Sequence, residues 1–154
     1  MTTELRIQTV SDDKRRFMDL LLIGDEQESM IDRYLDRGTL YVGTMAGVAV
    51  CVCVITRESS DTVEIKNIAV HPEYRRRCIG HRMLGFIEMV YKGHNIQLGT
   101  GETPSTLRFY RKAGYEYSHR IEGFFTTNYD HPIIEEGVVL SDMIYLVKKC
   151  SSSS

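Results

Sequence analysis

The stretch IKNIAVHPEYRRRCIGHRML, from Ile65 to Leu84, carries three signals in succession. Ile65 to Val70 is an apolar, strand-like run that stops at His71-Pro72, as it must where a residue cannot donate to a ladder. Arg75, Arg76 and Arg77 follow. Cys78-Ile79-Gly80 then opens a segment in which Ile79, Met83, Ile87 and Val90 recur at helical spacing. A helix N-terminus presents unpaired N–H groups and the positive end of the helix dipole. With arginines beside it, and small residues that let the backbone come close, it can hold a polyanion such as a pyrophosphate. An arginine triplet by itself reads as a solvated basic turn. Strand, proline, basic loop and helix in that order read as an anion site.

The rest of the chain limits what such a site serves. Its 154 residues suffice for one domain with a real core and hardly for two. Lys and Arg total 19 against 21 Asp and Glu, a formal charge of -2, which argues against a general nucleic-acid binder. Met1-Thr2-Thr3-Glu4 lacks the pattern of a signal peptide, and the longest apolar run, Val48 to Ile55, is too short to span a bilayer. The expectation is a cytoplasmic protein with no membrane partner. Cysteines at 51, 53, 78 and 150 show no zinc spacing, so they read as thiols in a reducing compartment, with no metal. Lys148-Lys149-Cys150 and the four serines read as a frayed end, giving a domain over 1–149 and a disordered tail over 150–154.

Alternation at Leu5, Ile7 and Thr9 predicts a first strand. Ser11 offers an N-cap, with Asp12 and Asp13 in the first turn of a helix that ends at Gly24. Asp25 and Glu28 have capping-box spacing for a second helix, with Ile31, Tyr34 and Leu35 as its stripe and Gly38 as its stop. Strands follow over Leu40 to Met45, Val48 to Ile55 and Val63 to Val70, the first two joined at Ala46-Gly47. After the helix from Cys78 come a strand over Ile96 to Thr100 and a helix from Thr103-Pro104 to Gly114. Two late strands, roughly Tyr115 to Thr127 and Val138 to Val147, complete the order βααβββαβαββ. This is a single α/β domain with a mixed sheet flanked by helices.

Element order and loop together resemble the GNAT superfamily of acyl-CoA N-acyltransferases, in a bacterial subgroup of undefined substrate. The family loop reads Arg/Gln-x-x-Gly-x-Gly/Ala, and here it is RRRCIG, Arg75 to Gly80. NIAVHPEYRRRCIG covers the preceding strand as well, and TLRFYRKAGYEY matches the family's second helix and next strand. The resemblance spans Leu5 to Lys148. It implies a mostly antiparallel sheet splayed between its fourth and fifth strands, with acetyl-CoA as cosubstrate in the gap. Pantetheine would pair with the backbone of Ile68, Ala69 and Val70, a backbone N–H near Val70 would polarise the thioester carbonyl, and the diphosphate would rest on the amides from Arg76 to His81. Arg75, Arg76, Arg77, Cys78, Ile79, Gly80, His81 and Thr103 thus become cofactor-binding candidates. Two positions depart from the pattern: Cys78 stands where the family has glycine, and Thr103 replaces an asparagine before the second helix, its hydroxyl free to cap that helix.

Acyl transfer to an amine needs a neutral nucleophile, oxyanion stabilisation and a proton for the thiolate. Tyr110 matches the family tyrosine placed near the CoA sulfur; without the resemblance it reads as a half-buried aromatic. Glu64 matches the glutamate that serves as base in histone-acetylating relatives. Strict alternation would set it on the face of Ile68, and its bland reading is a surface carboxylate paired with a Lys or Arg. Asp142, Glu135 and water stay open as alternative bases. His71 reads as a surface residue, and His81 has the better claim to the phosphates. The implied function is transfer of an acetyl group to a primary amine of a small molecule or protein, by direct transfer. A non-catalytic acyl-CoA-binding regulatory module is the alternative, resting on Cys78 and Thr103. Glu122, Asp130, Glu135, Glu136 and Asp142 would attract a cationic amine or simply form a solvated surface. A homodimer stays open.

Overall fold

The structure is a computed structural model that describes residues 4–150. Among the described residues its sheet has seven strands in the order β1-β2-β3-β4-β5-β9-β6, with β4–β5 as the only parallel pair. These strands are β1 Leu5–Val10, β2 Thr39–Met45, β3 Val48–Arg57, β4 Thr62–Val70, β5 Asn95–Gly101, β6 Glu116–Ile121 and β9 Met143–Lys149. A separate hairpin pairs β7 Ile134–Glu135 with β8 Val138–Val139. Helices are α1 Met18–Gly24, α2 Glu28–Ile31, α3 Ile79–Val90, α4 Pro104–Lys112 and α5 Phe124–Asn128. Both residues of the Ala46-Gly47 turn have positive φ (51° and 80°), the twist that a two-residue hairpin requires.

Two cores sandwich the sheet. Ile79, Met83, Leu84 and Ile87 of α3 pack with Cys51, Cys53, Val63, Ile65, Ile96 and Leu98 on one face. Leu20 and Leu21 of α1, with Ile31 and Leu35, pack against Leu40, Val42, Val52 and Val54 on the other. The run Val50 to Ile55 is buried throughout, which is why it is apolar on both faces. At about 1.5–3 kcal/mol per buried aliphatic side chain, these layers provide the main favourable term in folding. Among the described residues, no helix is long and apolar enough to cross a membrane.

The sheet opens between its fourth and fifth strands, where the resemblance implied a splay. β4 and β5 pair from Thr62↔Asn95 to Ile65↔Leu98 and no further. On its other edge β4 pairs Ile65 with Ile55 and Asn67 with Val54, which leaves Lys66 as an extra, bulged residue. A bulge bends its strand and resets the alternation of faces. Val63 and Ile65 belong to the α3 core before it, and Ile68 and Val70 pack on that same core after it. Glu64 therefore shares the α1 face with Asn67 and Ala69, not the face of Ile68 that strict alternation predicts. α1 ends against this segment at Gly24, where a Cβ would collide with the Asn67 amide oxygen.

Local signals fail at both ends of the chain. Ser11 does not cap a helix. Asp13 takes a left-handed conformation (φ 51°) before a 3-10 turn over Lys14–Phe17, and α1 starts only at Met18. The reason is tertiary, since Lys14 Nζ donates to the carbonyls of Leu35 (3.0 Å) and Gly38 (2.7 Å). Nor does Asp25 form a capping box, because its carboxylate accepts from the hydroxyls of Tyr34 (3.0 Å) and Tyr129 (2.6 Å). The strand expected over Tyr115 to Thr127 stops at Ile121. Gly123 (φ 63°) then turns the chain into α5, and Phe125 joins Ile133 and Leu140 in a small third core. The strand expected from Val138 breaks into β8 and β9. Cys150, read as the start of a tail, is buried, with its N–H donating to His94 O (3.0 Å) and its carbonyl accepting from Gly93 N–H (2.9 Å). Ser151 to Ser154 lie outside the described residues, as do the first three.

Candidate active site

A cavity of ≈ 770 Å³ occupies the open half of the β4–β5 splay, a size suited to a large cofactor. Ile68, Ala69 and Val70 form its strand wall. His71 N–H donates to Val50 O (2.7 Å), and hydrogen-bonding sides alternate along an antiparallel edge. Ile68 and Val70 accordingly turn their N–H and C=O groups away from β3 into the gap, where β5 no longer pairs with them.

The loop wall contains Arg75, Arg76, Cys78, Ile79, Gly80 and His81. Arg76 (φ 65°) and Cys78 (φ 59°) both adopt left-handed backbone, and Cys78 is the N-cap of α3. That geometry explains why glycine suits position 78: an L side chain there is strained. The first bond within α3 runs from Arg82 N–H to Cys78 O (3.0 Å), so the N–H groups of Ile79, Gly80 and His81 belong to its unpaired first turn. The Cys78 thiol is free and exposed. Arg77 does not line the cavity; its guanidinium lies over the Tyr74 ring, 5.1 Å from the centroid. His71 is occupied locally, its Nδ1 accepting from Glu73 N–H (3.1 Å).

Helix α4 forms the third wall through Ser105, Thr106, Phe109 and Tyr110. Pattern reading missed Ser105 and Thr106, which sit one helical step beyond the predicted cap. Thr103 is fully buried and outside the cavity. Its hydroxyl donates to Thr106 Oγ1 (2.9 Å), so it makes no side-chain cap to the helix backbone. The Phe109 ring packs on His81 (4.5 Å between centroids), tying α4 to the α3 N-terminus. Tyr110 is 8% exposed and is held edge-to-face between Phe109 (5.1 Å) and Tyr115 (5.8 Å). Burial, and then the nearby Cys53 and Glu135, push its phenol well above the ordinary tyrosine range, so it stays protonated.

A second cavity of ≈ 170 Å³ opens on β4 at Glu64, Ile65 and Lys66, about 7 to 13 Å along the strand from Ile68. Glu64 is only 4% exposed. Its Oε1 accepts from Gln97 Nε2 (2.8 Å), and its Oε2 accepts from Tyr145 OH (2.9 Å) beside Lys66 Nζ (2.8 Å). The lysine pairing anticipated for an exposed carboxylate is thus present on a buried one. A carboxylate has about four lone-pair sites, so capacity for one more donor remains. Asp25 lines the same cavity, and burial raises its carboxyl above the usual range despite the two tyrosine hydroxyls. Asn67 Nδ2 completes the chain by donating to Tyr34 OH (3.1 Å). Asp142 and Glu135 line neither cavity. Asp142 is held by Arg120 (2.9 Å) and Gly123 N–H (2.9 Å), and Glu135 sits exposed in β7.

Residues 36–117 match the family model described as an acetyltransferase (GNAT) domain. An uncharacterized N-acetyltransferase of Bacillus subtilis (strain 168), YvbK, is 32% identical over 93% of this chain and 95% of its own. A GNAT family acetyltransferase from Elizabethkingia anophelis, solved with acetyl-CoA bound, is 30% identical and superposes with a TM-score of 0.87 over 94% of this chain and 97% of that one. A Bacillus subtilis acetyltransferase in complex with CoA is 28% identical, with a TM-score of 0.83 over 95% and 99%. The fold is therefore shared along almost the whole length, and the chain belongs to the GNAT family as an acetyl-CoA-dependent acyltransferase.

Proposed function

We propose that the protein transfers an acetyl group from acetyl-CoA directly to a primary amine, with the cosubstrate in the larger cavity and the acceptor in the smaller. The observation that carries this reading is the break in β4–β5 pairing at Ile65↔Leu98, which leaves both cavities on neighbouring stretches of one strand. Pantetheine pairs with the outward-facing groups of Ile68 and Val70. The diphosphate sits on the first-turn amides from Ile79 to His81, between the charges of Arg75 and Arg76. Arg77, turned onto Tyr74, contributes only long-range charge, and Thr103 shapes α4 from behind the wall.

In the reaction, the amine lone pair attacks the thioester carbonyl carbon. Negative charge that develops on the carbonyl oxygen is met by the Val70 N–H. Glu64 takes the proton lost by the amine, directly or through water. Collapse of the tetrahedral adduct breaks the C–S bond, and Tyr110 donates its proton to the departing thiolate. Cys78 has no base partner among its described contacts and plays no covalent part. Free thiols at all four cysteines suit a reducing, cytoplasmic setting.

Initial-rate kinetics test this reading. CoA release should depend on both substrates with intersecting double-reciprocal lines, and intact-mass analysis with acetyl-CoA alone should show no acetylated enzyme. Parallel lines with an adduct on Cys78 would refute direct transfer.

A further inference from the structure

The smaller cavity has a composition that the transfer reading leaves unused. At ≈ 170 Å³ it holds about six water molecules at ~30 Å³ each, so it encloses something the size of a small metabolite. The rings of Tyr34, Phe124, Tyr129 and Tyr145 form its sides. Its charges are not those of a trap for polycations. Arg33, Arg37 and Lys66 line it together with the carboxylates of Asp25 and Glu64.

The partners of these groups decide what is free to bind. Lys66 is neutralised by Glu64 (2.8 Å) and Arg37 by Glu58 (3.3 Å). Arg33 donates only to the neutral Asn128 Oδ1 (3.0 Å), and no carboxylate lies within ion-pair distance of it among the described residues. A guanidinium in this state is a fork for a planar anion, and binding one costs it no existing ion pair. Across the cavity, Glu64 keeps an accepting site for an amine N–H. A second ammonium on the acceptor would meet the charge of Arg33, the cation of the three that has no ion pair among the described residues.

Resting on the acetyl-transfer reading above, we infer that the acceptor is a small amphoteric amine, a primary amine and a carboxylate on one compact apolar body. The amine meets Glu64, the aromatic walls hold the body, and the carboxylate meets Arg33. A charge-assisted bond is worth about 1.5–3 kcal/mol, which corresponds to roughly 10- to 150-fold in selectivity.

The test compares CoA release, as kcat/KM, for three sets of amines: L-leucine and L-phenylalanine, their decarboxylated amines and carboxamides, and spermidine as a polycation. The amino acids should exceed their decarboxylated counterparts by about tenfold or more. Arg33→Gln should bring that ratio toward one, and Arg33→Lys should restore part of it. A preference for the decarboxylated amines or for spermidine, or a carboxylate preference untouched by Arg33→Gln, would overturn the inference alone. CoA release with none of these amines, while acetyl-CoA still binds, would also overturn the inference; the transfer reading itself falls only if the initial-rate and intact-mass tests above fail.

Discussion

Replacing Cys78 by glycine tests the loop at its most informative position. Cys78 is the N-cap of α3 at φ 59° and ψ 21°, a left-handed conformation that costs an L-residue about 1–2 kcal/mol. Its thiol is exposed and takes part in none of the side-chain hydrogen bonds described, so removing it sacrifices little packing. Glycine accepts the conformation freely but gives the unfolded chain extra entropy, worth about 0.4–1 kcal/mol. The difference leaves a net stabilisation of about 0.5–1 kcal/mol, or about 1–4 °C in Tm for a domain of this size. Because glycine leaves the α3 N-terminus open, acetyl-CoA affinity by calorimetry should stay the same or tighten. A loss of more than about 1 kcal/mol in urea unfolding, against this expectation, would show that the left-handed strain argument is wrong. Roughly tenfold weaker acetyl-CoA binding in a variant of normal stability would show that the thiol itself serves the cofactor.

Tyr110→Phe keeps the ring between Phe109 and Tyr115 but removes the proton, so kcat under saturating substrates should fall by roughly 10²-fold or more while acetyl-CoA affinity holds. A rate within a few-fold of wild type, with chemistry rate-limiting, would assign the residue to packing. Reversing both Arg75 and Arg76 to glutamate should weaken CoA binding by about 10²-fold or more, with the largest effect at low salt; unchanged calorimetry would remove the loop from the cofactor site. Asp25 has a folded pKa raised above its unfolded value of about 3.9, chiefly by burial, so its contribution to stability is full below that value and is lost as pH rises through the folded pKa. Asp25→Asn abolishes this titration, and the stability of wild type relative to the variant should therefore decline as pH increases from about 4; a difference that grows with pH would reverse the assignment.

Much of the α3 loop was legible because its signals are local. Pro72 ends a strand, three arginines follow at once, and Ile79, Met83 and Ile87 recur at the period of one helix. Each of these facts concerns residues within a few positions of one another, and backbone sterics and helix geometry act over that range. The hairpin at Ala46-Gly47 and the Thr103-Pro104 start of α4 were readable for the same reason. The place of Tyr110 within α4 follows directly from that start.

What lines the second cavity was decided elsewhere. Sequence alternation sends Glu64 to the side of Ile68, and the bulge at Lys66 reverses it through a register set by β3. Asp25 has the spacing of a helix cap, but Tyr129, 104 residues further on, donates to its carboxylate and draws it into the second cavity. Cys150 has no core-forming neighbours in sequence, and it is the pairing of β9 with β5 that brings it against Gly93 and His94. The sequence by itself determined the basic turn after Pro72, the helix behind it and the order of the elements through α4. Only the tertiary structure chose which side chains meet across the β4–β5 break, because bulge register and buried hydrogen bonds depend on partners that the chain brings together after its local elements have formed.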